Sequence, residues 1–207
     1  MMEPTKKWIF FDIGSTLVDE TKAYDHRARD MIANTNITFE EFYNMRIAFA
    51  IQGLDGNSVA IEHFGLIKTP WHSEDEILYP DAATILKILH TKGYKLGIIA
   101  NQNPGTEARL EFWGVRQYFD IIATSTEIGY AKPDIKIFEK AFEIANCTAN
   151  ECIMVGDRLD NDIVPAKSLG MATIWIKQGL AKYQNSSFGK GIADYQIYSL
   201  SEILHII

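Results

Sequence analysis

Five short apolar runs, each followed by a stretch of different period, constrain this chain more than any other feature. They fall at residues 7–12, 94–100, 121–124, 152–156 and 172–176. Near-continuous apolar character suits strands buried on both faces, the condition of a parallel sheet. Between them the period changes to helical. In 80–91, Ala82, Ile85, Leu86 and Leu89 fall at i, i+3, i+4 and i+7, and Gly93 supplies the stop. Helices are predicted at 105–113, at 134–145 with a stripe of Ile137, Phe138, Ala141 and Phe142, and at 160–169 before Gly170. Strand and helix in strict alternation imply a parallel sheet covered by helices on both sides. The expected fold is an α/β, Rossmann-like, three-layer core.

One segment breaks the alternation. Residues 18–79 show no strand pattern and are predicted to form three helices, at 22–34, 39–51 and 58–65. In the second, Phe39, Phe42, Tyr43, Ile47 and Ile51 are expected on one face, as the interior of a small helical domain. The insertion follows the first strand directly. Ligands of open α/β sheets bind beyond the carboxyl ends of the strands, so an insertion there is placed to act as a cap. The expected division is a core of 1–17 and 80–207 and a cap of 18–79. The C-terminal region adds a polar loop near 178–191, a weak strand at 194–197 and a short helix.

Composition narrows the partners. The 207 residues suffice for one filled core and a small insertion. A net charge of −7 without a basic tract argues against nucleic acid and anionic membrane surfaces. No run approaches the ~20 apolar residues of a membrane span, and the apolar run at 8–11 is too short for a signal peptide. Cys147 and Cys152 form no paired motif, and a reducing cytoplasm is expected. Nothing in the sequence indicates an oligomeric state.

Polar residues gather where the strands should end. The first strand runs into Asp12-Ile-Gly-Ser-Thr16, the second into Ala100-Asn101, and the fourth into Gly156-Asp157-Arg-Leu-Asp160-Asn-Asp162; Lys132-Pro-Asp134 follows the third. In a parallel sheet these segments meet at one edge. Crowded carboxylates resist joint ionisation. A divalent cation relieves the conflict, and an oxygen-only set suits magnesium. With Lys132 as a further positive charge, such a site can present a carboxylate nucleophile to an anionic phosphoryl group. Other residues have plainer readings. His63, His72 and His90 lack metal-ligand spacing, Trp71 is a packing residue near the hinge, Arg158 is solvated or reaches a phosphate, and Asp160 is a helix N-cap.

The four segments, in this order across residues 12–162, resemble the signature motifs of the haloacid dehalogenase-like superfamily, and the insertion resembles its first type of helical cap. The resemblance implies a hydrolase of a small phosphorylated metabolite. Asp12 would be the nucleophile that forms an aspartyl-phosphate. Asp12, the Gly14 carbonyl, Asp157 and Asp162 would hold Mg2+. Lys132 would steady nucleophile and phosphate. Asn101 and the motif threonine Thr16 would join Lys132 at the substrate-binding positions.

Two positions depart from the pattern. The phosphatases carry a second aspartate two residues after the nucleophile, which protonates the leaving group and later activates water; Gly14 stands there. The second motif normally supplies a hydroxyl, and Ala100 stands there, with Asn101 beside it. Loss of a positioned acid–base group typically costs about 10²–10⁴ in rate. Three outcomes are open: substrates with good leaving groups, replacement of the acid–base group by His26 or Asp19, or a ligand-binding protein of little activity. A dehalogenase is a third class of reading, although neither the aromatic residue nor the serine usual in those enzymes is present. On the sequence alone, Gly14→Asp is expected to raise alkyl-phosphate turnover.

Overall fold

The computed structural model describes residues 6–207; residues 1–5 of the expected core lie outside it. Strand β1 (Trp8–Phe11) leads through a tight turn to β2 (Val18–Asp19). The insertion follows as α1 (Thr21–Ile32), α2 (Phe39–Ile51) and α3 (Gly56–His63), and the chain returns through β3 (Ile77–Leu78). The core continues as α4 (Ala82–Thr91), β4 (Lys95–Ala100), α5 (Thr106–Phe112), β5 (Ile121–Thr124), α6 (Ser125–Ile128) and α7 (Lys136–Ala145). It ends with β6 (Cys152–Gly156), α8 (Val164–Ser168), β7 (Ala172–Ile176) and β8 (Tyr195–Ile197).

Six strands form one parallel sheet in the order β5-β4-β1-β6-β7-β8. Alternation along β1 shows why the core has three layers. Ile9 and Phe11 pack with Leu86 of α4, Leu110 of α5 and Ile203 near the C-terminus. Phe10 points to the opposite face, against Phe138 of α7 and Ala166 of α8. All three β1 side chains are fully buried, as a central strand clad on both sides requires. At about 1.5–3 kcal/mol per buried large apolar side chain, such layers are what hold the sheet together. Among the described residues, no helix is long and apolar enough to cross a membrane.

The insertion has its own small interior of Ala28, Met31, Ile32, Phe42 and Ala60. Thr38 starts α2 with a reciprocal cap: its hydroxyl accepts from the Glu41 N–H, and the Glu41 carboxylate accepts from the Thr38 N–H at 2.8 Å. The face expected on α2 is only partly the buried one. Ile51 is exposed, and the buried residues are Phe42, Arg46 and Ala50. Arg46 tolerates burial because Asp25 of α1 accepts from its guanidinium at 3.0 Å. The other side of α2 meets the core, where the hydroxyls of Tyr43 and Tyr183 lie 3.3 Å apart. A helix packed on two sides has no single apolar stripe.

Two local expectations are corrected. Residues 18–79 do contain strand: β2 and β3 pair antiparallel, Val18 opposite Leu78 and Asp19 opposite Ile77, where the insertion leaves and rejoins the core. Two residues cannot display a period, so this ribbon left no trace in the sequence. The single helix expected at 160–169 is a π-type turn over Leu159–Ile163 followed by α8. Asp160 is not its N-cap. Arg158 occupies that position without a side-chain cap, and the Asp160 carboxylate instead accepts from Arg158 Nε at 3.0 Å.

Candidate active site

Parallel register brings the predicted residues to one edge. Phe11 is aligned with Ile98 of β4 and with Val155 of β6. The next residue, Asp12, therefore emerges beside the ends of both neighbouring strands, its N–H donating to the Val155 carbonyl at 3.0 Å. Asp157 begins the loop after β6, and Trp175 Nε1 holds that loop by donating to the Asp157 carbonyl at 2.7 Å.

Lys132 is the centre of the arrangement. Its amine donates to Asp12 Oδ1 at 2.7 Å, to Asp162 Oδ1 at 2.6 Å and to the Ile99 carbonyl at 2.9 Å. Three acceptors satisfy all three ammonium protons of a side chain that is almost wholly buried. Asn101 fixes the Lys132 backbone, its Oδ1 accepting from the Lys132 N–H at 2.7 Å and its Nδ2 donating to the Lys132 carbonyl at 2.8 Å. The amide predicted to meet substrate is thus engaged in holding the lysine, although Asn101 does line the cavity.

Asp162 is fully buried, and its second oxygen accepts from the Arg158 N–H at 3.0 Å. A glycine makes this possible. A Cβ on Gly156 would lie 2.4 Å from the Asp162 carboxylate. Gly156→Ala is therefore expected to push Asp162 away from Lys132 and to destabilise the fold by about 1–3 kcal/mol, measurable by urea unfolding.

The charges are unbalanced. Asp12, Asp157 and Asp162 each offer a carboxylate oxygen, all within 4.8 Å of one another. Burial first, then the charges of Asp162 and Asp12, hold the Asp157 carboxyl well above its ordinary range. Burial also raises Asp162, to about 6, with Lys132 opposing and Asp12 reinforcing the shift. Burial alone would lower the Lys132 amine, but Asp12 and Asp162 outweigh it and the amine sits above its usual value. Lys132 bonds Asp12 and Asp162 but not Asp157, and the hard, oxygen-only donor set of the three carboxylates fits a magnesium ion.

These groups line a cavity of about 190 Å3, large enough for a small polar molecule. The core contributes Asp12, Gly14, Lys132 and Asp157 to its wall, and the insertion contributes Tyr24 and Asp55. Arg158 ties the two parts together, donating to Asp55 Oδ2 at 2.7 Å, and its partly exposed side chain also lines the cavity. Thr16 is fully buried and does not line the cavity, so substrate contact is closed to it here.

Neither residue named as a replacement acid lines the cavity. Asp19 Oδ1 accepts from the Thr21 N–H at 2.9 Å. His26 lies 2.8 Å from Asp75 and stacks on His72, with ring centroids 3.5 Å apart. His72 in turn lies 2.6 Å from Asp30, as a paired histidine of the insertion. Glu20, which no sequence pattern singled out, does line the cavity, together with Asp12, Asp55, Asp157, Asp160 and Asp162. Burial, then the charges of Asp12 and Glu76, push its carboxyl up to about 8.

The comparisons with known proteins follow the same path along the chain. A family model described as haloacid dehalogenase-like hydrolase matches residues 9–176. The chain is 35% identical over 199 residues to a glyceraldehyde 3-phosphate phosphatase of Pyrococcus abyssi, with 84% of this chain and 82% of that protein covered. A protein of the same description from Pyrococcus furiosus is 32% identical over 228 residues, covering 97% and 92%. The crystal structure of a HAD phosphatase from Thermococcus onnurineus matches with a TM-score of 0.68 at 27% identity, over 97% of both chains. Because the matched region runs from β1 through β7, it takes in all the strand ends that build the cavity, and the chain belongs to the haloacid dehalogenase-like hydrolase family.

Proposed function

We propose that the chain is a magnesium-dependent phosphatase of a small phosphorylated metabolite, with Asp12 as nucleophile and residues 18–79 as a cap over the site. The observation that carries the reading is the Lys132 amine bridging Asp12 and Asp162. It holds the Asp12 carboxylate in one orientation at the cavity wall while offsetting its charge toward an incoming phosphate. Pre-positioning of this kind is the main contribution a protein makes to phosphoryl transfer.

Asp12 attacks phosphorus in line, and the phosphoryl group passes to its carboxylate. Water then returns the group to solution as phosphate. Lys132 neutralises charge on nucleophile and phosphoryl oxygens in both steps, and Asn101 keeps the lysine in place. Asp12, Asp157, the Gly14 carbonyl and Asp162 would hold the ion. Bound there, magnesium offsets the repulsion between carboxylate and phosphate. The cavity size and the insertion's share of its wall favour a small substrate enclosed by the cap.

The relatives described as glyceraldehyde 3-phosphate phosphatases make that triose phosphate the first compound to test. Phosphate release from glyceraldehyde 3-phosphate is expected with magnesium and is expected to stop on chelation. Chloride release from a 2-halo acid without metal would replace this reading with a dehalogenase. Binding of a phosphate analogue without turnover of any ester would replace it with a ligand-binding protein.

A further inference from the structure

Gly14 removes the acid–base group from the place where the sequence pattern expects one, yet that place is filled. A Cβ built on Gly14 would lie 2.5 Å and 2.6 Å from the two carboxylate oxygens of Glu20, and 2.7 Å from its carboxyl carbon. An aspartate at position 14 would carry its own oxygens about 2.4 Å from its Cβ by covalent geometry. Glu20 thus brings two carboxylate oxygens as close to that Cβ position as an aspartate's own oxygens would lie. The chain delivers it from the hinge. Val18 and Asp19 are fixed by pairing with β3, and Glu20 is the residue immediately before α1. Its side chain turns back toward Asp12 and lines the same cavity. Among the described residues its one hydrogen-bond partner is the Ser15 hydroxyl, at a long 3.5 Å. Structural carboxylates are normally bound by several donors; this one has a single long contact and faces the cavity.

We propose that Glu20 is the catalytic acid and base of this enzyme, replacing the side chain absent at position 14. The proposal rests on the phosphatase reading above. In the first half-reaction Asp12 Oδ bonds to phosphorus, the bond from phosphorus to the ester oxygen breaks, and the Glu20 carboxyl gives its proton to that oxygen, which leaves as an alcohol. In the second, the Glu20 carboxylate takes a proton from water as the water oxygen bonds to phosphorus. The bond from phosphorus to Asp12 breaks, phosphate departs, and Glu20 is again protonated.

The same geometry corrects the expectation for Gly14→Asp. On its own that substitution puts a Cβ into the Glu20 carboxylate, so it displaces one acid to introduce another, and no gain in alkyl-phosphate turnover is expected.

The test uses Glu20→Gln, which keeps the size and removes the acid. Turnover of an alkyl phosphate should fall by about 10²–10⁴-fold. With p-nitrophenyl phosphate, whose leaving group needs no proton, the variant should release one equivalent of p-nitrophenolate per site rapidly and then turn over slowly. The phosphate adduct should accumulate on Asp12, detectable by mass spectrometry. Wild type should show no burst. Equal losses on both esters without a burst, or no loss on either, would overturn the assignment. A loss accompanied by weaker magnesium binding in calorimetry would overturn it in favour of a metal-holding role. The double variant Gly14→Asp with Glu20→Ala provides the second arm. It should recover at least 10-fold in alkyl-phosphate turnover over Glu20→Ala alone; absence of recovery in a folded protein that still forms the adduct would also overturn the proposal. Failure of the wild type to release phosphate from any ester would instead remove the phosphatase reading itself.

Discussion

Asp12→Asn is expected to abolish phosphate release, by roughly 10⁴-fold or more, because it removes the group proposed to receive the phosphoryl. The fold should survive. Asparagine is nearly isosteric, and the Lys132 amine keeps Asp162 and the Ile99 carbonyl as acceptors. Removing one of three crowded carboxylates also relieves the repulsion that raises Asp157. The metal-free variant should therefore melt no lower than wild type, and magnesium should stabilise it less than it stabilises wild type. Thermal melts with and without magnesium, beside a phosphate-release assay, check both parts. Retained turnover would remove Asp12 from the role of nucleophile. A collapse in stability would mean that the Asp12–Lys132 pair is needed for folding more than for chemistry.

Lys132→Met is expected to be the most destabilising single change at the site. The amine is buried between Asp12 and Asp162, with 2% of its side chain exposed. Taking away one partner of a buried ion pair strands the other charge, at a cost of about 3–5 kcal/mol. The pH dependence has a definite sign. Burial already raises the Asp162 carboxyl to about 6, and Lys132 is the group that opposes this shift. Without Lys132 the folded-state value moves further above the unfolded one. The folded variant then binds more protons than the unfolded chain, so its stability falls as pH rises through that window. The deficit relative to wild type should be largest at neutral pH and shrink toward pH 4, where Asp162 is protonated and its charge is no longer stranded. Urea unfolding at several pH values measures it. A deficit independent of pH would mean that lost packing, not an unpaired charge, is what the substitution costs.

How much of this was legible beforehand can be followed residue by residue. The first strand, the helix stripe Ile137–Phe138–Ala141 and the convergence of Asp12, Lys132, Asp157 and Asp162 are legible because each sits in a pattern that local chemistry dictates. Apolar runs mark buried strands, and polar residues just past them mark the strand ends. Thr16 was assigned by motif position, and its burial depends on the turn between β1 and β2. On α2 the period misled, since Arg46 is buried by its ion pair with Asp25 and Ile51 is left exposed.

No pattern in the sequence marks Glu20. Its neighbour Asp19 was named as a possible acid from nearness in sequence to the first motif. One residue decides the matter: Asp19 is paired in the β2–β3 ribbon and accepts from the Thr21 N–H, while Glu20 turns back over Gly14. The alternation of strand and helix, and with it the sheet edge at which Asp12, Lys132 and Asp157 collect, follows from the sequence alone, because the period of burial is a local consequence of residue type and alternating strands and helices form a parallel sheet. Only the tertiary structure decided which acid fills the space above Gly14. That choice depends on the direction of a side chain at a two-strand hinge, and contacts between segments nearly sixty residues apart set that direction.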